Sequence, residues 1–275
     1  MLPWRFDPKT AAPRENNAND DIPLPGDGGT PALTGSPSRS PRALDRGRRE
    51  IGVIAIVLVA VVAFLGFLGV ADGVTDGHTS RFDVGLMMLL RHHGDISRPI
   101  GPAWLRLMAT DLTALGSISD LAIIVLVTAG LFLAQSRWRE TWLLIAAAAS
   151  GLMVVNIVKV MVGRERPPLA MHAVEVGNAS FPSGHAMLSA IVYLSLAALV
   201  AHFADRRRVR AYALGAGILV TLVVGASRVY LGVHWPTDVM AGWALGAAWA
   251  MLWWLIAFTL ESRDQKRPLD IATVG

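Results

Sequence analysis

Six side chains in the second half of the sequence are of types that bind and attack a phosphoryl group: Lys159, Arg166, His185, Arg228, His234 and Asp238. Lys159, Arg166 and Arg228 bring positive charge, and arginine forks match the geometry of an oxyanion. Pro182-Ser183-Gly184-His185 runs directly into an apolar stretch. Ser183 and Gly184 therefore open a helix whose unpaired N–H groups and positive dipole end favour an anion, and glycine allows close backbone approach. Cations plus such a cradle describe a phosphate site. In His234-Trp235-Pro236-Thr237-Asp238, proline suits the first helical position. Asp238 then falls in the first turn and reaches back to His234. A carboxylate on one imidazole nitrogen leaves the other free to attack. His185, across the site, is the candidate general acid for the leaving oxygen. The chemistry so predicted is a phosphohistidine intermediate hydrolysed by water, with fixed cations stabilising the transferring group.

Such residues need elements that bring them together. The chain has 275 residues, 53% hydrophobic and 17% charged, against roughly 25% charged in a soluble domain. A bilayer core needs about 20 apolar residues in a helix. The runs 51–70, 141–162, 186–203, 211–226 and 239–260 meet that length or approach it, and 121–134 does so if it begins near Leu115. The expectation is an all-α polytopic membrane protein with six transmembrane helices, spanning 46–262; the alternative to an early start of the second, one that takes in Asp120, is that Ser119 or Asp120 caps it. Residues 1–45 hold eight prolines and no apolar stretch, which predicts a disordered cytoplasmic tail rather than a signal peptide. Residues 263–275 are expected as a second cytoplasmic tail. The 71–116 segment between the first two spans mixes apolar residues with Arg, His and Asp. It reads as amphipathic helices on the outer surface or as a loosely packed loop.

Charge orients these spans. With the N-terminus inside, 17 of the 25 Lys and Arg residues fall on the inner side, most densely at Arg206, Arg207, Arg208 and Arg210. The positive-inside bias places both termini in the cytoplasm. Spans three and five then run outward, and four and six inward. Lys159, Arg166, His185, Arg228, His234 and Asp238 all land at the outer face, where ionisable residues are costly and usually functional.

These residues match a family. Lys159 to Arg166-Pro167 reads K-x-x-x-x-x-x-R-P, residues 182–185 read P-S-G-H, and Ser227-Arg228 through His234 to Asp238 reads S-R-x-x-x-x-x-H-x-x-x-D. The three blocks, in this order over residues 159–238, resemble the type-2 phosphatidic acid phosphatase superfamily, which includes lipid phosphate phosphatases and vanadium haloperoxidases. The resemblance implies that His234 is the nucleophile, Asp238 its partner and His185 the acid. It implies that Lys159, Arg166, Ser183, Gly184 and Arg228 hold the phosphate. Arg164 and Glu165 fall in variable slots with no assigned role.

Blander readings lose ground when the residues are taken together. Lys159 and Arg228 could each snorkel to headgroups, and Ser183-Gly184 could be an ordinary cap. His185, His234 and Asp238 could ligate a metal, but neighbouring cations oppose a further cation, so no metal or other cofactor is expected. Basic charge on a soluble protein would suggest nucleic acid; here the arginines flank apolar runs, and no nucleic-acid partner is expected. A transporter would gather its polar groups near the midplane rather than at one end. The absence of cysteine excludes thiol nucleophiles. The expected partner is a lipid phosphate or diphosphate (isoprenyl diphosphate, phosphatidic acid or phosphatidylglycerophosphate) met at the outer face of a bacterial inner membrane. A phosphotransferase using the same site is the nearest alternative.

Overall fold

The computed structural model describes residues 41–271, with side chains over 50–261. Most of the expected N-terminal tail, and the last four residues of the C-terminal one, lie outside the described residues. Helix α1 (Pro41–Thr75) carries the first apolar run. After it come α2 (Ser80–Leu89), the antiparallel strands β1 (Arg91–His92) and β2 (Asp95–Pro99), α3 (Ala103–Ala114) and α4 (Ile118–Ala134). Then follow α5 (Trp138–Val162), a 3-10 turn at Leu169–Met171, α6 (Gly184–Phe203), α7 (Arg207–Tyr230) and α8 (Pro236–Ile271).

Among the described residues, five helices are long and apolar enough to cross a bilayer: Glu50–Thr75, Trp138–Val162, Gly184–Phe203, Arg207–Tyr230 and Pro236–Glu261. Helices α3 and α4, bent by 48° at the break between them, supply a sixth if the pair is one span. The chain is thus an all-α polytopic membrane protein, with one small hairpin among the described residues. Its outward residues are apolar, as lipid requires: Ile51, Ile54, Leu58, Val62 and Leu65 on α1 are all exposed.

The 71–116 segment is built rather than loose. Its two mixed stretches become α2 and α3, each burying one face (Asp83 and Met87 on α2, Ala109 and Thr113 on α3). The hairpin between them was not anticipated. It is pinned to the end of α7 by Arg91, which donates to the Tyr230 carbonyl at 3.0 Å, and by the Tyr230 hydroxyl, which donates to the Ile100 carbonyl at 2.8 Å. Helix α4 takes in Asp120, and the alternative of a cap at Ser119 or Asp120 fails. Ser117, not Ser119 or Asp120, is the cap, its hydroxyl accepting from the Asp120 N–H at 3.1 Å. A capping hydroxyl reaches an N–H three residues on, so Asp120 is the residue capped. Arg207, Arg208 and Arg210, expected in a loop, form the first turn of α7. Good intrinsic helix propensity and a three-residue connection from α6 outweigh the unfavourable dipole there.

Helix α6 is the centre of the bundle, packing on α4, α5, α7 and α8. Its buried Met187, Leu188, Ile191 and Val192 meet Leu121, Val125, Leu144, Val155 and Leu245. The approach of α8 to α6 depends on Gly242 and Gly246. A Cβ at Gly242 would lie 2.7 Å from the Ser183 carbonyl oxygen, and one at Gly246 would lie 2.5 Å from that of Met187. In lipid, where apolar burial drives little association, such small-residue spacing is what lets helices touch. It also brings the start of α6 against the start of α8, where the Ser183 N–H donates to the Asp238 carbonyl at 2.9 Å.

Candidate active site

Four helix ends meet at one end of the bundle. Lys159 lies in the last turn of α5, Ser183 and His185 at the start of α6, Arg228 in the last turn of α7, and Asp238 in the first turn of α8. Arg166 and His234 come from the connections beside them. The alternating helix directions read from charge and hydropathy therefore bring the predicted residues together.

His234 is buried, and its two nitrogens face different partners. Nε2 lies 3.2 Å from Arg166 Nη1. A guanidinium only donates, so Nε2 presents its lone pair and Nδ1 carries the proton. That proton faces Asp238 Oδ2 at 3.5 Å and Ser180 Oγ at 3.4 Å. Burial pushes the His234 imidazole down to about 3, with only partial compensation from Asp238. Because its pKa in the fold lies below the ordinary 6.5, the ring stays neutral throughout the physiological range, proton on Nδ1. Nitrogen-15 NMR of histidine-labelled protein at pH 6 is expected to show the Nδ1-protonated neutral tautomer for His234, assigned by comparison with His234→Asn. An imidazolium, or the opposite tautomer, would contradict this geometry.

Asp238 is fully buried, and its oxygens divide the work. Oδ2 accepts from the Ser180 hydroxyl at 2.5 Å and the Trp235 N–H at 2.9 Å, beside His234 Nδ1. Oδ1 pairs with Arg164 at 2.6 Å. A buried carboxylate without such partners would cost several kcal/mol. Arg164, left without a role by the motifs, is therefore part of the cluster. Asp83 on α2 joins it through Arg164. Asp83, Arg164 and Ser180 are what the sequence reading missed.

The remaining cations are held differently. Arg166 donates to the Asn178 carbonyl and Asn178 Oδ1, both at 2.7 Å, and to the Val233 carbonyl at 2.6 Å. Arg228 donates to Thr113 Oγ1 at 3.1 Å, and Lys159 to the Ala179 carbonyl. Among the described residues, neutral acceptors are the partners recorded for these three, in contrast to Arg164. Partial burial pulls the Arg166 guanidinium down from its ordinary value. Uncompensated buried charge is costly, and a bound anion removes that cost. Two buried donors also lack a partner: Arg228 Nε and the Ser183 hydroxyl. Ser183 occupies the N-cap position of α6, yet its side chain caps nothing, so the ordinary-cap reading fails. At Gly184 a Cβ would meet Lys159 and Val155 only at 3.9 Å. The protein itself does not demand glycine there.

His185 makes its contacts at the α3–α4 bend. A Cβ at Gly116 would lie 3.3 Å from His185 Cβ and Cδ2, and 2.4 Å from Val224. The bend thus needs a glycine chiefly to admit Val224, with the His185 ring packed close beside it. His172 ties its loop down through Nε2 to the Pro167 carbonyl at 2.9 Å.

A helical membrane enzyme acting on phosphate groups is the class that this fold and cluster define. Comparison with known proteins places it further. A model of the PAP2 superfamily matches residues 140–262. Phosphatidylglycerophosphatase B of Bacillus subtilis (strain 168) is 36% identical over 167 residues, 59% of this chain and 77% of that protein. An undecaprenyl-diphosphatase of Sulfolobus acidocaldarius is 40% identical over 68 residues, 25% of this chain and 29% of that protein. The crystal structure of the first transmembrane PAP2 type phosphatidylglycerolphosphate phosphatase from Bacillus subtilis superposes with a TM-score of 0.64 at 28% identity, covering 75% of this chain and 96% of that one. The chain belongs to the PAP2 superfamily, in its membrane-embedded branch.

Proposed function

We propose that this protein hydrolyses the phosphomonoester or diphosphate group of a lipid at His234, on the outer face of a bacterial inner membrane. The observation that carries the reading is the surround of His234 Nε2: a lone pair facing Arg166, within a cluster whose Ser183 hydroxyl and Arg228 Nε are buried without partners. Nε2 attacks phosphorus in line, and the bond to the leaving oxygen breaks as His185 donates a proton to it. Asp238 balances the charge on the phosphorylated ring. Water then attacks phosphorus, His185 takes its proton, and orthophosphate leaves with His234 again neutral. Arg166, Arg228, Lys159, the Ser183 hydroxyl and the backbone at Gly184 hold the phosphoryl oxygens.

A lipid substrate is supported by the surface beside the site. Val160 and Met161 at the end of α5, and Leu169 in the loop after Arg166, are 85%, 79% and 81% exposed. Apolar side chains there let a lipid tail stay in the bilayer while its headgroup reaches the cations. The names of the relatives, a phosphatidylglycerophosphatase and an undecaprenyl-diphosphatase, support the same class. The outward orientation and cytoplasmic termini rest on the distribution of Lys and Arg.

The test is phosphate release by purified protein from phosphatidic acid, phosphatidylglycerophosphate and isoprenyl diphosphates, alongside water-soluble phosphate esters. Release from at least one lipid is expected, inhibited by orthovanadate as a mimic of five-coordinate phosphorus and unaffected by EDTA. Loss on EDTA treatment, restored by added metal, would overturn the mechanism. Membrane-impermeant labelling of a cysteine placed in the 163–184 loop tests the orientation, and labelling only from the cytoplasmic side would reverse it.

A further inference from the structure

The buried ion-pair chain from α2 to the catalytic carboxylate has no part in holding phosphate. Arg164 spends Nη1 on Asp238 Oδ1 at 2.6 Å and on Thr237 Oγ1 at 2.8 Å, and Nη2 on Asp83 Oδ2 at 2.6 Å. Asp83 in turn accepts from the Thr237 N–H at 2.9 Å through Oδ1 and from the Thr237 hydroxyl at 2.7 Å through Oδ2. Asp83 is 1% exposed and Asp238 0%. A guanidinium between two buried carboxylates is already neutralised, so Arg164 is the one arginine of the cluster with no charge to offer a ligand.

The arrangement has a geometric consequence. Arginine prefers to grip one carboxylate with both ends of its fork. Here Asp83 takes one end, which limits Arg164 to a single contact with Asp238 Oδ1. Oδ2 is left to Ser180, the Trp235 N–H and His234 Nδ1. By binding the first turn of α8 at Thr237, Asp83 also fixes the backbone from which Asp238 projects. From these contacts we infer that Asp83 and Arg164 are positioning residues for the reaction: together they aim the Asp238 carboxylate at His234, and so make the 71–116 segment part of the catalytic apparatus. This rests on the reading of His234 and Asp238 given above.

The expected signature is a split between turnover and binding. Asp83→Asn and Arg164→Gln each lower kcat by about 10- to 100-fold, the range for outer residues that orient a working group. KM and the inhibition constant for orthophosphate stay within about twofold, because the phosphate-holding residues are untouched. Arg164→Lys restores folding but little of kcat, since one ammonium cannot bridge both carboxylates in this geometry. It supplies the same test if Asp83→Asn fails to fold. The decisive measurement is a cycle with Asp238→Asn. A residue acting through Asp238 costs nothing more once that carboxylate is gone, so the double variant R164Q/D238N matches D238N within about twofold. A multiplicative loss in the double variant, or weakened orthophosphate binding in the single ones, would overturn the inference. Full activity of D238N would instead overturn the underlying mechanism.

Discussion

Alanine at position 234 is expected to lower phosphate release by about 10⁴-fold or more, as removal of a nucleophile does elsewhere, with the protein still folded and still binding orthophosphate. The reason is the division of labour around the ring. The groups proposed to hold phosphate (Lys159, Arg166, Arg228, Ser183 and Gly184) come from other elements and do not need the imidazole for their positions. Arg166 keeps its bonds to Asn178 and Val233, and Arg228 its bond to Thr113. What disappears is the lone pair at Nε2. The ring is 2% exposed, so truncation opens a small polar hole, a destabilisation of about 1–3 kcal/mol. His234→Asn separates the two effects. It fills part of the hole and can donate toward Asp238 but has no nucleophilic nitrogen, so stability recovers and turnover does not. Turnover within tenfold of the parent in either variant would remove His234 from the nucleophile's role. Trapping radiolabelled phosphate on the parent protein and not on His234→Ala is the direct form of the same test.

The legible part of this site was what local periodicity and direction determine. His234 and Asp238 stand four apart across a proline that starts a helix, and that spacing places one carboxylate beside one imidazole. Lys159, His185 and Arg228 sit at ends of apolar runs, and alternating helix directions carry those ends to one face. Asp83 was illegible because its partner Arg164 is 81 residues away, and no local pattern distinguishes it from the other four aspartates of the 71–116 segment. Ser180 lies only five residues before His185, yet its bond to Asp238 spans 58 residues. The bend at Gly116 was hidden for a related reason. The glycine is required by Val224 from a distant helix, with His185 close by, rather than by its own neighbours. Hydropathy thus reports which face a segment presents to lipid, while the buried polar contacts that tune the chemistry are long-range pairings with no period.

Arg166 is where the second large effect is expected, and it tests whether the resting geometry is preparatory. Its fork joins the loop at Asn178 to the turn at Val233, and Nη1 rests 3.2 Å from His234 Nε2. In the proposed mechanism that nitrogen bonds phosphorus, which requires Arg166 to shift its donor from Nε2 to a phosphoryl oxygen as substrate enters. The exchange is favourable because a neutral imidazole acceptor is replaced by an anion. It leaves the guanidinium beside the transferring group, where charge stabilisation is worth the most. Arg166→Ala is expected to lower kcat/KM by about 10³-fold, the low end of the effect of an arginine on phosphoryl transfer. It also releases the 163–183 loop, which limited proteolysis would report. Arg166→Lys separates charge from shape. A lysine keeps the positive charge but cannot hold the Asn178 carbonyl, Asn178 Oδ1, the Val233 carbonyl and a phosphoryl oxygen together. It should therefore recover less than about tenfold of the loss, with its effect in kcat as well as KM. If lysine restored most of the activity, bulk positive charge would suffice, and the fork joining the loop, the turn and the phosphoryl group would have no catalytic part.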